Sequence, residues 1–411
     1  MVKGRRARIM VVLLVVLAVG YIGRLSVSAA QRSGGPSGTT QTTATTRPGG
    51  STSQPTDTTT TTTVAPPKRV VHRLLKDSFI SPEGMPPQAV TELLNYAQAA
   101  GVKIISTGVS WAAFEPYGPG GPGEFAQLDT FVSEVLHRKM KVRIQLTGFP
   151  DWARDPGEVS SATAQWLPPV APDELARWKV FVGDVARHFR GRVTYFEIWN
   201  EPNISSFFYP QPDPAEYADL LEASSTAIKA ADPSALVIFA GMSGNDIGFL
   251  SRVYDALDAQ FGALARKDHH FFDILGAHPY DGSRPPEVVS PSQVYPDDFG
   301  TMDANFLGFE KLHALMASHG EGYKPIYITE YGFTTEGFYG FPPISDSTRA
   351  AYLKRAFSLV AKIPYVIGFS WFCLYANPDN GLANGPGWAM LAGYYPYWQP
   401  NATYAAFKSV P

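Results

Sequence analysis

Short apolar runs of strand length alternate with longer amphipathic runs of helix length, and they do so eight times between residue 69 and the C-terminus. "HRLLKDSFI", "VKIISTGVSW", "KVRIQLTG", "VTYFEIW", "ALVIFAG", "FDILGAH", "PIYITEYG" and "YVIGFSWFCLY" read as the strands. Stretches such as "PPQAVTELLNYAQAAG", "DELARWKVFVGDVARHF" and "PAEYADLLEASSTAIKAA" read as the helices between them. A strand followed by such a helix and another strand requires a right-handed parallel crossover. Eight repeats in this length predict a closed (β/α)8, or TIM, barrel. An open doubly wound sheet is the alternative, but no GxGxxG turn follows the first strand.

The first 68 residues stand apart from this pattern. Residues 1–30 join a basic leader, "MVKGRRAR", to an apolar run from Ile9 to Gly23 and then to small residues around Ala29 and Ala30. That layout predicts a secretory signal, with an uncleaved membrane tether through residues 9–23 as the open rival. Residues 31–68 are dominated by Thr, Ser, Gly and Pro, with almost nothing to bury, and read as a disordered linker. The expected product is extracellular or held at the cell surface, with residues 69–411 as its catalytic domain.

A formal charge of -3 gives no reason to expect nucleic acid as a partner. A single cysteine, Cys373, excludes an internal disulfide framework and a cysteine-built zinc site, and it reads best as a small core residue. His269 and His270 read as a solvated turn with no third ligand, so no metal and no cofactor are assigned. A monomer is expected.

In a TIM barrel the chemistry sits at the C-terminal ends of the strands. Those ends are unusually polar and aromatic here: Trp111 after strand two, Asn200-Glu201 after strand four, His278-Pro279-Tyr280 after strand six, Glu330-Tyr331 at strand seven and Trp371 in strand eight. Strands four and seven face each other across the barrel, so Glu201 and Glu330 flank one cleft. Two carboxyl groups across a cleft are what cleavage of a glycosidic bond requires: a protonated one to donate and an ionised one to attack. An isolated Glu at a strand end is usually an exposed loop residue, and it is the pairing that points to chemistry.

"WNEPN" at Trp199–Asn203 and "ITEYG" at Ile328–Gly332 resemble the paired signatures of the clan A retaining glycoside hydrolases. The nearest likeness is to family 39, the group with β-xylosidases, α-L-iduronidases and bacterial exopolysaccharide hydrolases. "VSWAAFEP", "AIKAADPSALV" and "AHPY" extend it over most of residues 100–371. The resemblance implies Glu201 as acid/base and Glu330 as nucleophile. It also implies Asn200 at the sugar 2-hydroxyl, Tyr280 bonded to the nucleophile, His278 on the same wall and Trp371 as the floor. Trp111 and Trp152 are further expected substrate contacts, and an oligo- or polysaccharide is the expected partner. A barrel that binds carbohydrate without catalysis, and a transglycosylase remodelling surface glycan, use the same residues and stay open.

The chain departs from the family pattern at one place. Relatives often carry an arginine inside strand two, where this sequence has Ser106, with Gly108 in the place of a nearby acid. Arg143 on strand three is the expected substitute. Glu197 shares the inward parity of strand four and is expected to pair with Arg143 as a structural ion pair. Glu115 reads as a loop residue and Asp151 as either a loop cap or a contact to a distal sugar. Phe207, Phe208, Tyr209, Phe338, Tyr339, Tyr375 and Trp388 read as loop anchors or stacking platforms.

Overall fold

A computed structural model describes residues 74–119, 124–154, 166–337, 342–376 and 385–411. The leader and linker expectations, with Phe338 and Tyr339, lie outside these residues. Eight strands form the barrel: β1 (Leu75–Phe79), β2 (Ile104–Ser110), β3 (Lys141–Thr147), β4 (Tyr195–Ile198), β5 (Leu236–Ser243), β6 (Ile274–His278), β7 (Ile326–Tyr331) and β8 (Val366–Trp371). All neighbours are parallel, and β1 closes the sheet against β8.

One main helix follows each strand: α1 (Pro87–Ala99), α2 (Glu124–His137), α3 (Pro172–His188), α4 (Pro214–Ala231), α5 (Ile247–Phe261), α6 (Phe309–Ser318), α7 (Asp346–Val360) and α8 (Ala402–Ser409). Their starts are written in the sequence. Asp213 accepts hydrogen bonds from the Ala215 and Glu216 amides at the head of α4, with Pro214 as first helical residue. Ser345 and Asn401 cap α7 and α8 in the same way, through the amides of Thr348 and Tyr404. At the tail of α1 the chain turns through Gly101, whose φ of 79° suits a residue without a side chain.

Strand alternation sorts the barrel interior into layers. Ile104, Tyr195, Ile238, Ile274, Tyr327 and Ile367 form an apolar plug toward the N-terminal ends. Two residues further along the same strands come Ser106, Glu197 and Thr329, joined by Asp77 and Arg143, all buried. Barrel interiors are usually filled by bulky branched side chains. This second layer is polar and charged instead, and it lies directly below the strand ends where chemistry is expected.

Two antiparallel ladders, 294–295 with 302–303 and 391–392 with 399–400, fall in the connections after β6 and β8. Each has only two residues per strand, too short for a periodic signal, and the alternation of strands and helices does not reveal them.

Candidate active site

β4 ends at Ile198, and the next three residues leave strand geometry abruptly. Trp199 has φ of 73° and Glu201 φ of 38°, both left-handed and both costly for residues with a side chain. By simple alternation Trp199 would point into the barrel with Tyr195 and Glu197. The left-handed turn sends it outward, where its ring meets Trp178, Trp166 and Phe208 and its Nε1 donates to the Phe207 carbonyl. The Trp199 amide is held by the Leu146 carbonyl at 2.9 Å and the Glu201 amide by the Gly241 carbonyl at 3.2 Å. The kink therefore aims the Glu201 carboxyl inward through the backbone.

Glu201 and Glu330 meet at His278. The Nδ1 of His278 is 2.9 Å from Glu201 Oε1 and 3.9 Å from Glu330 Oε2. Its Nε2 is 3.0 Å from the Thr329 hydroxyl. Gly241 makes room for the ring, because a Cβ at that position would collide with His278 Nε2 and the Thr329 hydroxyl. Burial, then the charge of Arg143, holds His278 well below the usual histidine range, so the imidazole is neutral.

The two carboxyls differ in surroundings. Glu201 is wholly buried, and its Oε2 has no hydrogen-bond partner among the described residues. Burial, then the charge of Glu330, raises it well above the usual carboxylate range. The Glu330 side chain keeps 13% exposure and accepts a hydrogen bond from the Tyr280 hydroxyl at 3.3 Å. Burial and the charge of Glu197 push Glu330 up to about 8, against the pull of Arg143 and of Tyr280. Some solvent, a cation and a donor favour the charged form of Glu330, while Ser243 is the donor that does so for Glu201.

Arg143 occupies the layer beneath. It lies opposite Ser106 in the β2–β3 register, and its Nε donates to the Ser106 hydroxyl at 2.7 Å. Nη1 pairs with Glu197, while Nη2 reaches Asp77 and the Thr329 carbonyl, each at 3.2 Å. The expected pair with Glu197 is thus present, and the guanidinium stands beside Ser106. Gln145, next inward on β3, donates to Asn200 Oδ1 at 3.0 Å and to Glu197 at 3.3 Å. Asn200 is thereby fixed with its amide nitrogen free of that bond.

The aromatic expectations divide. Tyr280 joins the site, but Trp111 does not: it is wholly buried between Phe149 and Phe181, with Nε1 donating to Glu115 at 2.8 Å. Its strand ends at Ser110, and Trp111 opens a short helix that turns the ring into the core. Trp371 is also wholly buried, packed by Tyr331 and Phe333, and offers no free face. Trp152 is half-buried against Trp111 and donates to the Glu115 carbonyl. Phe207, Phe208, Tyr375 and Trp388 are buried anchors, and Tyr209 is exposed. Asp151 is exposed beside Arg154, and Cys373 is a core residue whose thiol burial pushes up to about 12.

His270 corrects the solvated-turn expectation: three successive left-handed residues, 269–271, swing it inward against Glu321 at 2.9 Å, while His269 stays exposed. Asp77, Gln145, Thr329 and Gly241 were not foreseen. Asp77 had a signal, an acid at an inward position of a barrel strand, and Gln145 shared the inward parity of Arg143. Gly241 had none, since its role rests on a clash between β5 and β6.

Comparison with known proteins places the chain in a family. Residues 121–375 match the model of the glycosyl hydrolases family 39. The β-xylosidase of Geobacillus stearothermophilus is 23% identical over 257 residues, 60% of this chain and 48% of its own. The chain thus spans about half the length of that curated relative. A family 39 glycoside hydrolase from the gut symbiont Bacteroides cellulosilyticus WH2 superposes with a TM-score of 0.60 at 19% identity, covering 82% of this chain and 63% of that one. A glucosidase from Croceicoccus marinus gives 0.55 at 14% identity, covering 82% and 67%. The two solved structures share the fold, and the match over most of the barrel, carrying both strand-end glutamates, shows that the chain belongs to glycosyl hydrolase family 39.

Proposed function

We propose that this chain is a retaining glycosidase acting on the O-glycosidic bonds of a cell-wall or extracellular oligo- or polysaccharide. The observation that carries the reading is the placement of both carboxyls within 4 Å of one His278 nitrogen. Those two oxygens are therefore no more than about 7 Å apart, which accommodates the 5–5.5 Å carboxyl spacing of retaining enzymes.

In the first step a Glu330 oxygen bonds to the anomeric carbon as the glycosidic C–O bond breaks, and the departing oxygen takes the Glu201 proton. In the second, water attacks the anomeric carbon, Glu201 accepts its proton, and the Glu330 ester bond breaks. Glu201 has the required environment for the acid, buried with one oxygen unengaged. Glu330 has Tyr280 and Arg143 to stabilise its charge when the glycosyl group leaves. Asn200, held by Gln145, serves the sugar 2-hydroxyl, a contact that strengthens in the transition state. Export and attachment at the cell surface rest on residues 1–68, and membrane and medium fractionation tests them.

Incubation of the full chain with a panel of activated 2-deoxy-2-fluoroglycosides tests the mechanism. The expected result is a mass increase of one fluoroglycosyl group that maps to Glu330. A label on another residue would refute the assignment. Turnover of natural glycan with no label on any sugar of the panel would sink the covalent mechanism.

A further inference from the structure

The connection after β8 carries an aromatic run that the catalytic reading leaves unused. It is Tyr394-Tyr395-Pro396-Tyr397-Trp398, at the tip of the hairpin that pairs 391–392 with 399–400. Tyr394 and Tyr395 are exposed, and Tyr397 is 78% exposed. Exposed apolar side chains scattered singly need no explanation, but three large rings within four residues form a patch that marks a contact surface. Local structure fixes the patch. Gly393, with φ of 80°, turns the chain, and the Tyr397 amide donates to the Tyr394 carbonyl at 2.7 Å. The Tyr395 ring packs on Trp398 at 5.4 Å between centroids, and Trp398 packs on Tyr375 at 6.0 Å. Trp398 and Tyr375 are buried. The Tyr375 hydroxyl accepts from the Ser81 amide at 3.2 Å and donates to the Ser81 carbonyl at 3.3 Å, just beyond β1. The hairpin is thereby anchored at the C-terminal end of the barrel, the end that carries Glu201 and Glu330.

The tip is continuous with the cleft. The Trp388 ring lies 6.0 Å from that of Tyr280, whose hydroxyl donates to Glu330. The Cys373 amide donates to the Trp388 carbonyl at 3.4 Å, and the Leu391 amide to the Leu374 carbonyl at 2.8 Å, so cleft wall and hairpin hang from the same strand end. From Trp388 to Tyr394 the chain can extend at most about 22 Å, a separation that a short sugar chain leaving the cleft covers.

The chemistry of the patch selects its occupant. Residues 385–407 contain no charged side chain and no histidine, so nothing there attracts a charged polymer. The Lys and Arg that accompany aromatics on membrane-surface segments are missing from the same stretch. A hairpin tip is also far smaller than the roughly 20–30 residues a side of a stable protein interface. A tyrosine offers an apolar ring face with a hydroxyl at its edge. A pyranose is built to match, with C–H groups on its faces and hydroxyls around its rim. We propose that Tyr394, Tyr395 and Tyr397 form a second carbohydrate contact, which holds a neutral polysaccharide chain beside the cleft while one of its bonds is cleaved between Glu201 and Glu330. This rests on the glycosidase reading and narrows its substrate to an uncharged chain of several sugars. Tyr395 is already fixed on Trp398, which lowers the ordering cost of stacking.

The test is native affinity electrophoresis of the full chain through gels containing soluble xylan, mannan or mixed-linkage β-glucan, run beside Tyr394→Ala/Tyr397→Ala. Both replaced rings are exposed, so the variant keeps its core. At least one of these glycans should retard the native chain, and the variant's affinity for it should fall about tenfold, roughly threefold per ring. Tyr394→Phe/Tyr397→Phe keeps the rings and should retain most of the retardation. In the Ala variant kcat/KM should fall about tenfold on the retarding glycan and hold on an aryl monoglycoside, which is too short to reach the hairpin. An equal fall on the aryl monoglycoside would place the defect in the cleft and overturn the proposal. Equal retardation of native chain and Ala variant, or no retardation of the native chain by any of the three glycans, would overturn it as well. So would a dimer in sedimentation, or binding to phosphatidylcholine vesicles, that the substitutions abolish while retardation persists. The two readings fail separately. A chain that no fluoroglycoside labels loses the covalent mechanism, whereas a labelled chain whose Ala variant binds glycan as tightly as the native one loses only the hairpin.

Discussion

Two buried charge clusters sit toward opposite ends of the barrel. Arg143 with Asp77 and Glu197 lies under the strand ends that carry Glu201 and Glu330. Glu321 with Lys324, His270 and Tyr254 lies before the start of β7. In the second cluster every donor serves one carboxylate: Lys324 at 2.7 Å, Tyr254 at 2.7 Å and His270 at 2.9 Å. Burial alone would raise Glu321, but His270, Lys324 and Tyr254 outweigh it and hold the acid down at about 2. Lys324, which burial lowers to about 8, is also capped by the His269 carbonyl and the Phe272 ring. One acid and one fixed cation cancel. In the first cluster two acids share one cation, and a third acid beside them is pushed up to about 8. A carboxylate ringed by donors makes a clamp, and a buried carboxyl beside other acids titrates near working pH.

The contrast can be broken from either side. Glu330→Gln should lower turnover by roughly 10⁴-fold or more while leaving the thermal midpoint in place, because a partly exposed acid is replaced by its isostere. Glu321→Ala should do the reverse. It strands Lys324 in the interior and should cost about 3–5 kcal/mol in denaturant unfolding, with activity per folded molecule unchanged. A loss of kcat in folded Glu321→Ala would erase the distinction between clamp and chemistry. Glu201→Gln should cut hydrolysis about 10²–10⁴-fold for poor leaving groups and spare activated aryl glycosides, a difference read from kcat/KM across leaving-group pKa.

The smallest effect is on stability against pH. Asp246, Asp281 and Glu330 are raised to about 8, each by burial first, from ordinary values of 3.8, 3.8 and 4.5. A carboxyl raised on folding binds its proton better in the native state, so its contribution is full below the unfolded value and is lost as pH climbs through about 8. Glu321 works oppositely, and its contribution is lost only as pH falls from 4.5 toward about 2. The thermal midpoint should therefore be highest near pH 4 and fall toward pH 9, as scanning calorimetry can read. A midpoint rising over that range would show that these acids are not held protonated.

Much of this was legible in the sequence, for definite reasons. The barrel follows from periodicity, and α4 spans Pro214–Ala231 as its capping Asp213, its Pro214 and its Asp232-Pro233 stop dictate. Glu201 and Glu330 were legible because polar groups at the ends of apolar strands violate the local pattern. Trp111 and His270 were not, because their directions depend on a helix starting at Trp111 and on left-handed backbone at 269–271. Neither leaves a mark in residue type. The polar layer under Glu330 was half visible: Glu197 and Arg143 shared inward parity, while Asp77 lay a whole strand away.

Arg143 and Ser106 carry a lesson about alignment columns. Site chemistry asks for a guanidinium at a point in space, and two neighbouring strands in parallel register can both deliver one there. When the cation moves from one strand to the next, its old column shows a small hydroxyl and the position looks lost, although the charge has travelled only the width of one strand pairing. Searches for degenerate enzymes by missing motif letters will discard such chains unless they score the cross-strand partner as well as the column itself.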